Sequence, residues 1–247
     1  MLAGIILSYN TPHLTNAIYE QLNPYCDKNF RLYVFDNGSD VDKISPYTNI
    51  SVKKNLRMSK GFNTAVQYVC ERHKRPDYIW LMSNDIVLTD GCPQKFLWAF
   101  ETYPKAGLIH PALTKDSVTS WEHMVGGDVI ENTMKMVWMA DIIAPVIPTK
   151  LFLKLGGFNP LLTRGWGIDF EISYDLYKKN RPVYIYDGVR IKHLLGGTYR
   201  TGMGGELAEI RDAEAANEVD RVLGKRFGAG WADKIYRHNF SKITGLQ

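Results

Sequence analysis

The chain has 247 residues, 45% of them hydrophobic, which is enough to bury a full core as one enzyme-sized unit. Its net charge of +4 is too small to require an anionic polymer as partner. The hydrophobic runs are all shorter than the roughly 18 apolar residues of a membrane span, and the three widely spaced cysteines lack the pattern of a zinc site or a disulfide framework. We therefore expect a soluble, reduced protein in the cytoplasm, without a transmembrane segment.

The first half of the chain alternates short apolar runs with segments of helical periodicity. Leu14, Ile18 and Leu22 recur every four residues after Pro12 and predict a helix with one buried stripe. Strands are expected at residues 2–7, 32–35, 50–52, 78–82 and 107–110, and helices around residues 14–22, 61–69 and from residue 93 onward. This alternation favours right-handed βαβ units and a parallel sheet.

The second half of the chain is less regular. Residues 114–132 predict a loop with at most a short hairpin, and residues 136–147 are apolar and β-rich. Helices are expected at residues 149–155, in a second segment that ends at about residue 178, and, with many charged residues, at 207–227. Strands are expected at residues 183–186 and 189–191, and a glycine-rich loop at residues 196–205. We expect a main domain over residues 1–205 and a C-terminal helical extension packed on it over residues 206–247.

Oxygen-bearing side chains follow several of the predicted strands. The run at residues 78–82 stops at Ser83, Asn84 and Asp85, and ligands of open α/β sheets bind beyond the carboxyl ends of such strands. Because hard divalent cations prefer oxygen ligands, Asp85 together with phosphate oxygens predicts a Mg²⁺ or Mn²⁺ site. Further along, Asp169 and Glu171 lie two positions apart on a predicted helix, so only one of them is expected to face a reacting group.

Six motifs, in their order along the chain, resemble nucleotide-sugar glycosyltransferases of the GT-A fold, family two in particular. The resemblance covers roughly the first 195 residues. The motifs are Ile-Leu-Ser-Tyr-Asn at residues 6–10, Phe-Asp-Asn-Gly-Ser at 35–39, residues 55–63 ending in Gly-Phe-Asn, Ser-Asn-Asp at 83–85, Gly-Gly-Phe at 156–158 and Gly-Trp-Gly-Ile-Asp-Phe-Glu at 165–171. The resemblance implies an α/β, Rossmann-like fold with a mixed, mainly parallel sheet flanked by helices.

The resemblance also implies a role for each matching residue. Donor-nucleotide binding is implied for Ser8, Tyr9, Asn10, Asp36, Asn63, Ser83 and Asn84, with Asp36 accepting a hydrogen bond from uracil. Metal binding is implied for Asp85 and for the late histidine His193, and removal of the acceptor proton for Asp169. Two acids of the family pattern are replaced here, by Ser83 and by Ile168, so Asp85 is left as a single carboxylate and Glu171 remains a rival base.

Other interpretations of these residues stay open at this point. Asp36 could form only an Asx turn, and His193 could be a buried histidine with a structural hydrogen bond. Trp166 is either a platform for the acceptor or donor sugar or part of the core. The loop at residues 196–205 is either a linker or a lid in which Arg200 contacts phosphate.

Taken with the resemblance, these residues predict a metal-dependent, inverting glycosyltransferase. The expected donor is a UDP-hexose, and the expected acceptor is a glycan or another hydroxyl compound. One alternative acceptor is a hydroxymethylated base in DNA, as for viral DNA-modifying glucosyltransferases, and binding would then fall steeply with salt. An alternative of another class is a non-catalytic module that binds nucleotide sugars.

Overall fold

The computed structural model describes residues 1–72, 75–194 and 205–244, with side chains omitted at residues 205–211. The strands are β1 (Leu2–Ser8), β2 (Phe30–Asp36), β3 (Ile50–Ser51), β4 (Tyr78–Ser83), β5 (Ile86–Asp90), β6 (Leu108–Leu113), β7 (Met134–Val137), β8 (Val146–Pro148) and β9 (Val183–His193). The α-helices are α1 (Pro12–Leu22), α2 (Arg57–Arg72), α3 (Lys95–Thr102), α4 (Thr149–Leu155), α5 (Ile168–Lys178), α6 (Gly205–Phe227) and α7 (Trp231–Thr244).

Within the described residues, the strands form one mixed sheet in the order β3-β2-β1-β4-β8-β6-β9-β5, with β7 paired to β9 outside this row. The first four strands of the row are parallel to one another, which confirms the βαβ arrangement of the first half. β8, β5 and β7 run antiparallel to their neighbours. The sheet is therefore mixed, as expected from the resemblance.

The core is centred on β4, the strand that leads into the candidate site. Trp80 is fully buried there, with its ring between those of Phe30 and Phe96 and its indole N–H donating to the Ala144 carbonyl at 3.0 Å. Burial of a large apolar side chain contributes about 1.5–3 kcal/mol. The polar residues that follow β4 are thus attached to one of the most firmly packed strands.

Several boundaries differ from the sequence-based expectation. Helix α2 begins at Arg57 rather than Gly61, so most of the expected polar loop at residues 55–60 is its first turn. The two expected strands at 183–186 and 189–191 are one strand, β9, whose pairing with β6 shifts register after Tyr186. Strand β5 was not expected, because only Asn84 and Asp85 separate its apolar run from β4.

The C-terminal helices pack on the rest of the molecule. Trp231 of α7 contacts Phe170 of α5, with ring centroids 5.1 Å apart. Tyr236 of α7 contacts Trp138, with ring centroids 5.2 Å apart. The buried Asn239 donates to the Trp138 carbonyl at 2.9 Å. In the parts of the chain that the structure describes, every helix is too short or too polar to cross a membrane.

Candidate active site

Parallel pairing brings the polar ends of β1, β2 and β4 to one edge of the sheet. Ser8 is the register partner of Asp36, and Leu7 is the register partner of Ser83. Ser83 is directly followed by Asn84 and Asp85, which are both buried. Residues that the sequence placed at three separate strand ends therefore lie at a common edge, where α/β sheets bind their ligands.

Asp36 uses one carboxylate oxygen for the local turn and keeps the other free. Its Oδ2 accepts hydrogen bonds from the backbone N–H groups of Gly38, at 3.2 Å, and Ser39, at 3.1 Å. Its Oδ1 is buried and has no hydrogen-bond partner within the described residues. The Asx turn and a nucleotide contact are thus compatible, because each takes a different oxygen.

The side chains of Ser8 and Asn84 are engaged within the protein. The Ser8 hydroxyl shares a 2.7 Å hydrogen bond with Thr15 of α1. The Asn84 amide donates to the hydroxyls of Thr11, at 2.8 Å, and Thr15, at 2.9 Å. These bonds fix the turn between β4 and β5 against the start of α1, so both side chains stabilise the backbone at this edge of the sheet.

The first loop is held against the loop that follows β2. Asn10, whose backbone has a left-handed φ of 54°, donates its N–H to the Ser39 hydroxyl at 2.9 Å. Its amide pairs with Asp40 in both directions, through Nδ2 to the carboxylate and through Oδ1 from the backbone N–H. Tyr9, which precedes Asn10, is half-buried at this edge.

Asn63 clamps the chain before α5. Its Oδ1 accepts the N–H of Phe158 at 2.9 Å, and its Nδ2 donates to the carbonyl of the same residue at 2.8 Å. A Cβ added at Gly157, whose φ is +75°, would lie 2.4 Å from the Asn63 amide. The Gly-Gly-Phe motif therefore fits a backbone turn that the Asn63 amide holds, and that amide is engaged on both sides.

Asp85 and His193 meet because β5 and β9 pair antiparallel. Ile86 is the register partner of His193, and the carbonyl of Asp85 accepts the N–H of Leu194 at 2.9 Å. The Asp85 Oδ2 and the His193 Nε2 are 3.7 Å apart. His193 Nδ1 lies 2.9 Å from the carbonyl of Val118, which selects the tautomer with a proton on Nδ1 and an open Nε2 toward Asp85.

The two groups shift each other's titration. Burial raises the pKa of Asp85, but its polar neighbours, chiefly His193, together hold this pKa below its ordinary value. Burial lowers the pKa of His193, and Asp85 reverses the effect, so the pKa of the imidazole lies above its ordinary value. A bound cation would replace the imidazole proton as the positive partner of Asp85.

Asp169 lies in the first turn of α5, just after Gly167, which caps the helix with a left-handed φ of 80°. Its side chain is buried, and its Oδ1 has no hydrogen-bond partner among the residues described. Burial, followed by the negative charge of Asp141, raises the pKa of Asp169 to about 8. A carboxylate with this pKa and a free oxygen is suited to accept a proton near neutral pH.

Asp141 is a site residue that the sequence analysis did not identify. It lies between β7 and β8, and it interacts electrostatically with Asp169, Asp85 and His193. Burial raises the pKa of Asp141 itself. The available signal was a lone acid inside the apolar stretch 136–147, since an acid in such a stretch is expected to have a specific partner.

Glu171 faces the opposite side of α5. Its carboxylate is paired with Arg226 of α6 and accepts a hydrogen bond from Asn159 at 3.1 Å. It lines a cavity of about 380 Å³, whose other residues include Leu161, Arg221 and Lys225. The two acids of the motif therefore point to different faces, which agrees with their spacing.

Two of the predicted residues lie outside this arrangement. Trp166 is 49% exposed, so it is not part of the core. Arg200 and residues 196–204 of the predicted lid lie outside the described residues. Among the described side chains, at residues 1–72, 75–194 and 212–244, no three His, Cys, Asp or Glu come together as a metal site.

No protein-family model matches the sequence, and no curated protein does. Solved structures do match. GalNAc-T7 with UDP, GalNAc and Mn²⁺ has a TM-score of 0.63 at 10% identity, over 98% of this chain and 54% of that one. The mannosyltransferase PcManGT from Pyrobaculum calidifontis, with GDP-Man and Mn²⁺, has a TM-score of 0.65 at 12% identity, over 96% of this chain and 68% of that one.

A third structure, residues 1–349 of TarS from S. aureus, has a TM-score of 0.54 at 13% identity, over 93% of this chain and 72% of that one. The chain thus spans only about half the length of GalNAc-T7. Identities of 10–13% establish the fold alone. The chain has the GT-A fold of these glycosyltransferases, as its sequence motifs predicted.

Proposed function

We propose that this protein is a metal-dependent glycosyltransferase that moves a sugar from a nucleotide-sugar donor to an acceptor hydroxyl. The observation that carries the proposal is Asp169, a buried carboxylate with an unpartnered oxygen and a pKa raised to about 8. Through Asp141 it is electrostatically coupled to the pair Asp85–His193. A candidate base and a candidate cation site are thus linked electrostatically in one fold.

The donor we propose is a UDP-hexose. The Oδ1 of Asp36 is free to accept a hydrogen bond, and uracil offers an imide N–H where cytosine does not. A buried carboxylate acceptor makes a charge-assisted hydrogen bond, which contributes about 1.5–3 kcal/mol. The side chains of Ser8 and Asn84 bond to the hydroxyls of Thr11 and Thr15, and that of Asn63 bonds to the backbone of Phe158. We therefore propose that these three side chains support the donor site, and direct contact between them and the donor stays a prediction. The structural neighbours bind UDP in one case and GDP-mannose in another.

The residues at the end of β4 fit a divalent cation, Mn²⁺ or Mg²⁺. Asp85 offers a carboxylate, and the hydrogen bond from Nδ1 of His193 to Val118 leaves Nε2 as a second ligand. Two protein ligands are few, so the donor diphosphate would complete the site. When bound, the cation supplies positive charge that stabilises the leaving diphosphate.

We propose an inverting direct displacement. Asp169 takes the proton of the acceptor hydroxyl while that oxygen bonds to the anomeric carbon. The bond from this carbon to the diphosphate oxygen breaks at the same time, and UDP leaves with the bonding electrons. The base and the leaving group must lie on opposite faces of the sugar, which favours inversion when Asp169 acts from the α5 side and Asp85 holds the diphosphate end.

The acceptor we propose is a glycan or another hydroxyl compound. The three cysteines are free thiols, which favours the reducing cytoplasm as the site of action.

UDP release from a panel of UDP-, GDP- and dTDP-sugars with Mn²⁺, with and without a chelator, tests the proposal. Turnover that needs the cation supports it. Tight UDP binding without hydrolysis or transfer from any donor would instead identify a binding module.

The stereochemistry needs a separate measurement. Proton NMR of the first product formed gives its anomeric configuration, which is opposite to that of the donor if the displacement is direct. Retention would contradict the assignment of Asp169 as base to the acceptor but would leave the glycosyltransferase activity intact. Transfer to duplex DNA that contains hydroxymethylated bases, lost at high salt, would identify a DNA acceptor.

A further inference from the structure

The loop over residues 162–167 determines where Asp169 lies, because it leads directly into α5. Gly165 and Gly167 have left-handed φ values of 92° and 80°, and the N-terminus of α5 has no side-chain cap. Glycine at such positions costs backbone entropy on folding. The loop therefore depends on neighbouring elements to hold one conformation.

One side of the loop is fixed by the first turn of α2. The N–H of Met58 donates to the carbonyl of Thr163 at 3.3 Å, and the hydroxyl of Ser59 donates to the carbonyl of Leu162. The Met58 sulfur lies only 2.4 Å from where a Cβ on Gly165 would be. The first residue of α2, Arg57, also accepts a hydrogen bond from Asn37, which follows Asp36 of the candidate nucleotide site. The same turn of α2 therefore contacts both this site and the loop.

The other side is fixed by α6, chiefly through Glu218. Its Oε2 accepts the hydroxyl proton of Thr163 at 2.7 Å, and its Oε1 accepts the backbone N–H of Arg164 at 3.1 Å. The next residue of α6, Val219, packs on Gly167 so closely that a Cβ there would approach it to 3.1 Å. One carboxylate therefore ties two consecutive residues of the loop.

We propose that Glu218 is a positioning residue for the reaction, acting on Asp169 through the loop over residues 162–167. The inference rests on the proposed function, in which Asp169 is the base. A catalytic group must be held within about 0.5 Å and 10–20° of its productive geometry. A misplacement of about 1 Å can lower the rate by about 100-fold. The C-terminal extension is thus part of the catalytic unit.

Two substitutions of Glu218 separate position from charge. Glu218→Ala removes both hydrogen bonds to the loop and should lower kcat by about tenfold or more, with KM for the donor within about threefold. In Glu218→Gln, the amide oxygen can accept the Arg164 N–H and the amide nitrogen can donate to the Thr163 hydroxyl. This variant should therefore keep most of the activity.

Glu214 provides a matched control on the same helix. One turn before Glu218, it pairs with the guanidinium of Arg164, and within the described residues it makes no hydrogen bond to the loop backbone. Glu214→Ala should leave kcat within about twofold, since an exposed ion pair contributes little. Thr163→Val removes one of the two hydrogen bonds and should lower kcat by a smaller factor than Glu218→Ala. Thr163→Ser should restore activity, which gives a second route if Glu218→Ala fails to fold.

The inference is overturned if Glu218→Ala and Thr163→Val keep normal kcat, or if Glu218→Gln is as inactive as Glu218→Ala. A wild-type protein inactive with every donor would refute the proposed function alone. Hydrogen exchange then decides on the loop: faster exchange of the amides of residues 164–169 in Glu218→Ala, with normal exchange in Glu214→Ala, supports the role of Glu218. Unchanged exchange in these amides overturns it.

Discussion

Replacing Asp169 by asparagine tests the proposed base most directly, because it keeps the size of the side chain and removes its capacity to take a proton. A positioned carboxylate base contributes about 10²–10⁴-fold to the rate. This corresponds to about 3–5 kcal/mol of transition-state stabilisation. We expect kcat to fall by such a factor, with KM for the donor within about threefold, because the donor does not depend on this group for binding.

The pH dependence follows from the environment of Asp169. With its pKa raised to about 8, about one tenth of the side chain is ionised at pH 7 and about nine tenths at pH 9. At Mn²⁺ concentrations well below saturation, the rate of the wild-type protein should therefore rise about tenfold between pH 7 and pH 9. Saturating Mn²⁺ should move the rise to lower pH, since nearby positive charge favours the carboxylate. The residual rate of Asp169→Asn should lack this rise.

The stability of the folded protein should fall as the pH rises, whereas the rate should increase. The pKa of Asp169 is higher in the folded protein than in the unfolded chain, so the folded state holds a proton that the unfolded state loses between about pH 4 and pH 8. The contribution of this group to stability is therefore lost as the pH rises through that window. Asparagine does not titrate, so the Tm of Asp169→Asn should exceed that of the wild-type protein by more at pH 8 than at pH 5.

Glu171→Gln is the matched control for the base. Its carboxylate is engaged with Arg226 and Asn159, so transfer should continue, while loss of the charged contact should cost about 1–3 kcal/mol of stability. For a chain of this size, that corresponds to about 2–4 °C in Tm per kcal/mol. Near-normal transfer by Asp169→Asn together with loss of transfer in Glu171→Gln would refute the reasoning and make Glu171 the base.

Three further predictions concern the donor side of the site. In Asp36→Asn the amide oxygen can serve the local turn while its nitrogen faces the uracil N–H, donor against donor, so calorimetry should show UDP binding weakened by about tenfold or more. Calorimetry should also detect no tight Mn²⁺ binding without UDP, and Asp85→Asn should abolish the Mn²⁺-dependent gain in UDP affinity. Asn63→Ala should lower Tm and leave UDP affinity within about twofold, because the amide holds the backbone of Phe158. A selective loss of UDP binding would instead support the predicted contact of Asn63 with the donor.

The parallel half of the sheet was predictable because local pattern decides it. Short apolar runs that alternate with helical segments leave few topologies, and parallel strands place their carboxyl ends at one edge. The placement of Ser8 and Asp36 at the same edge follows from this rule. The position of Asp85 beyond β4 follows as well, since a buried strand must end where polar residues begin.

The antiparallel half was harder to predict because its pairs are distant in sequence. Only two residues separate β4 from β5, so the two apolar stretches gave no sign of a reversal. The proximity of Asp85 and His193 depends on β5 pairing with β9, about a hundred residues later. The family resemblance suggested His193 as a ligand, but strand pattern alone could not place it.

Amide side chains show another limit of sequence analysis. Asn63 and Asn84 lie in the expected motifs, yet their amides bind the protein itself, Asn63 at Phe158 and Asn84 at Thr11 and Thr15. An amide offers both donors and an acceptor, so its residue type is equally suited to ligand and backbone. Only the tertiary structure shows which partner is within reach.

The acidic motif of α5 and the C-terminal helices are linked by helix geometry. Residues two apart are separated by about 200° around a helix, so Asp169 and Glu171 lie on nearly opposite faces of α5. Glu171 then shares a face with Asp175, four residues on, and like charges at this spacing repel. Arg226 of α6 pairs with both carboxylates and converts the repulsion into a bridged contact. The extension thus stabilises the acidic face that results from placing the base, on the same helix whose entry loop Glu218 holds.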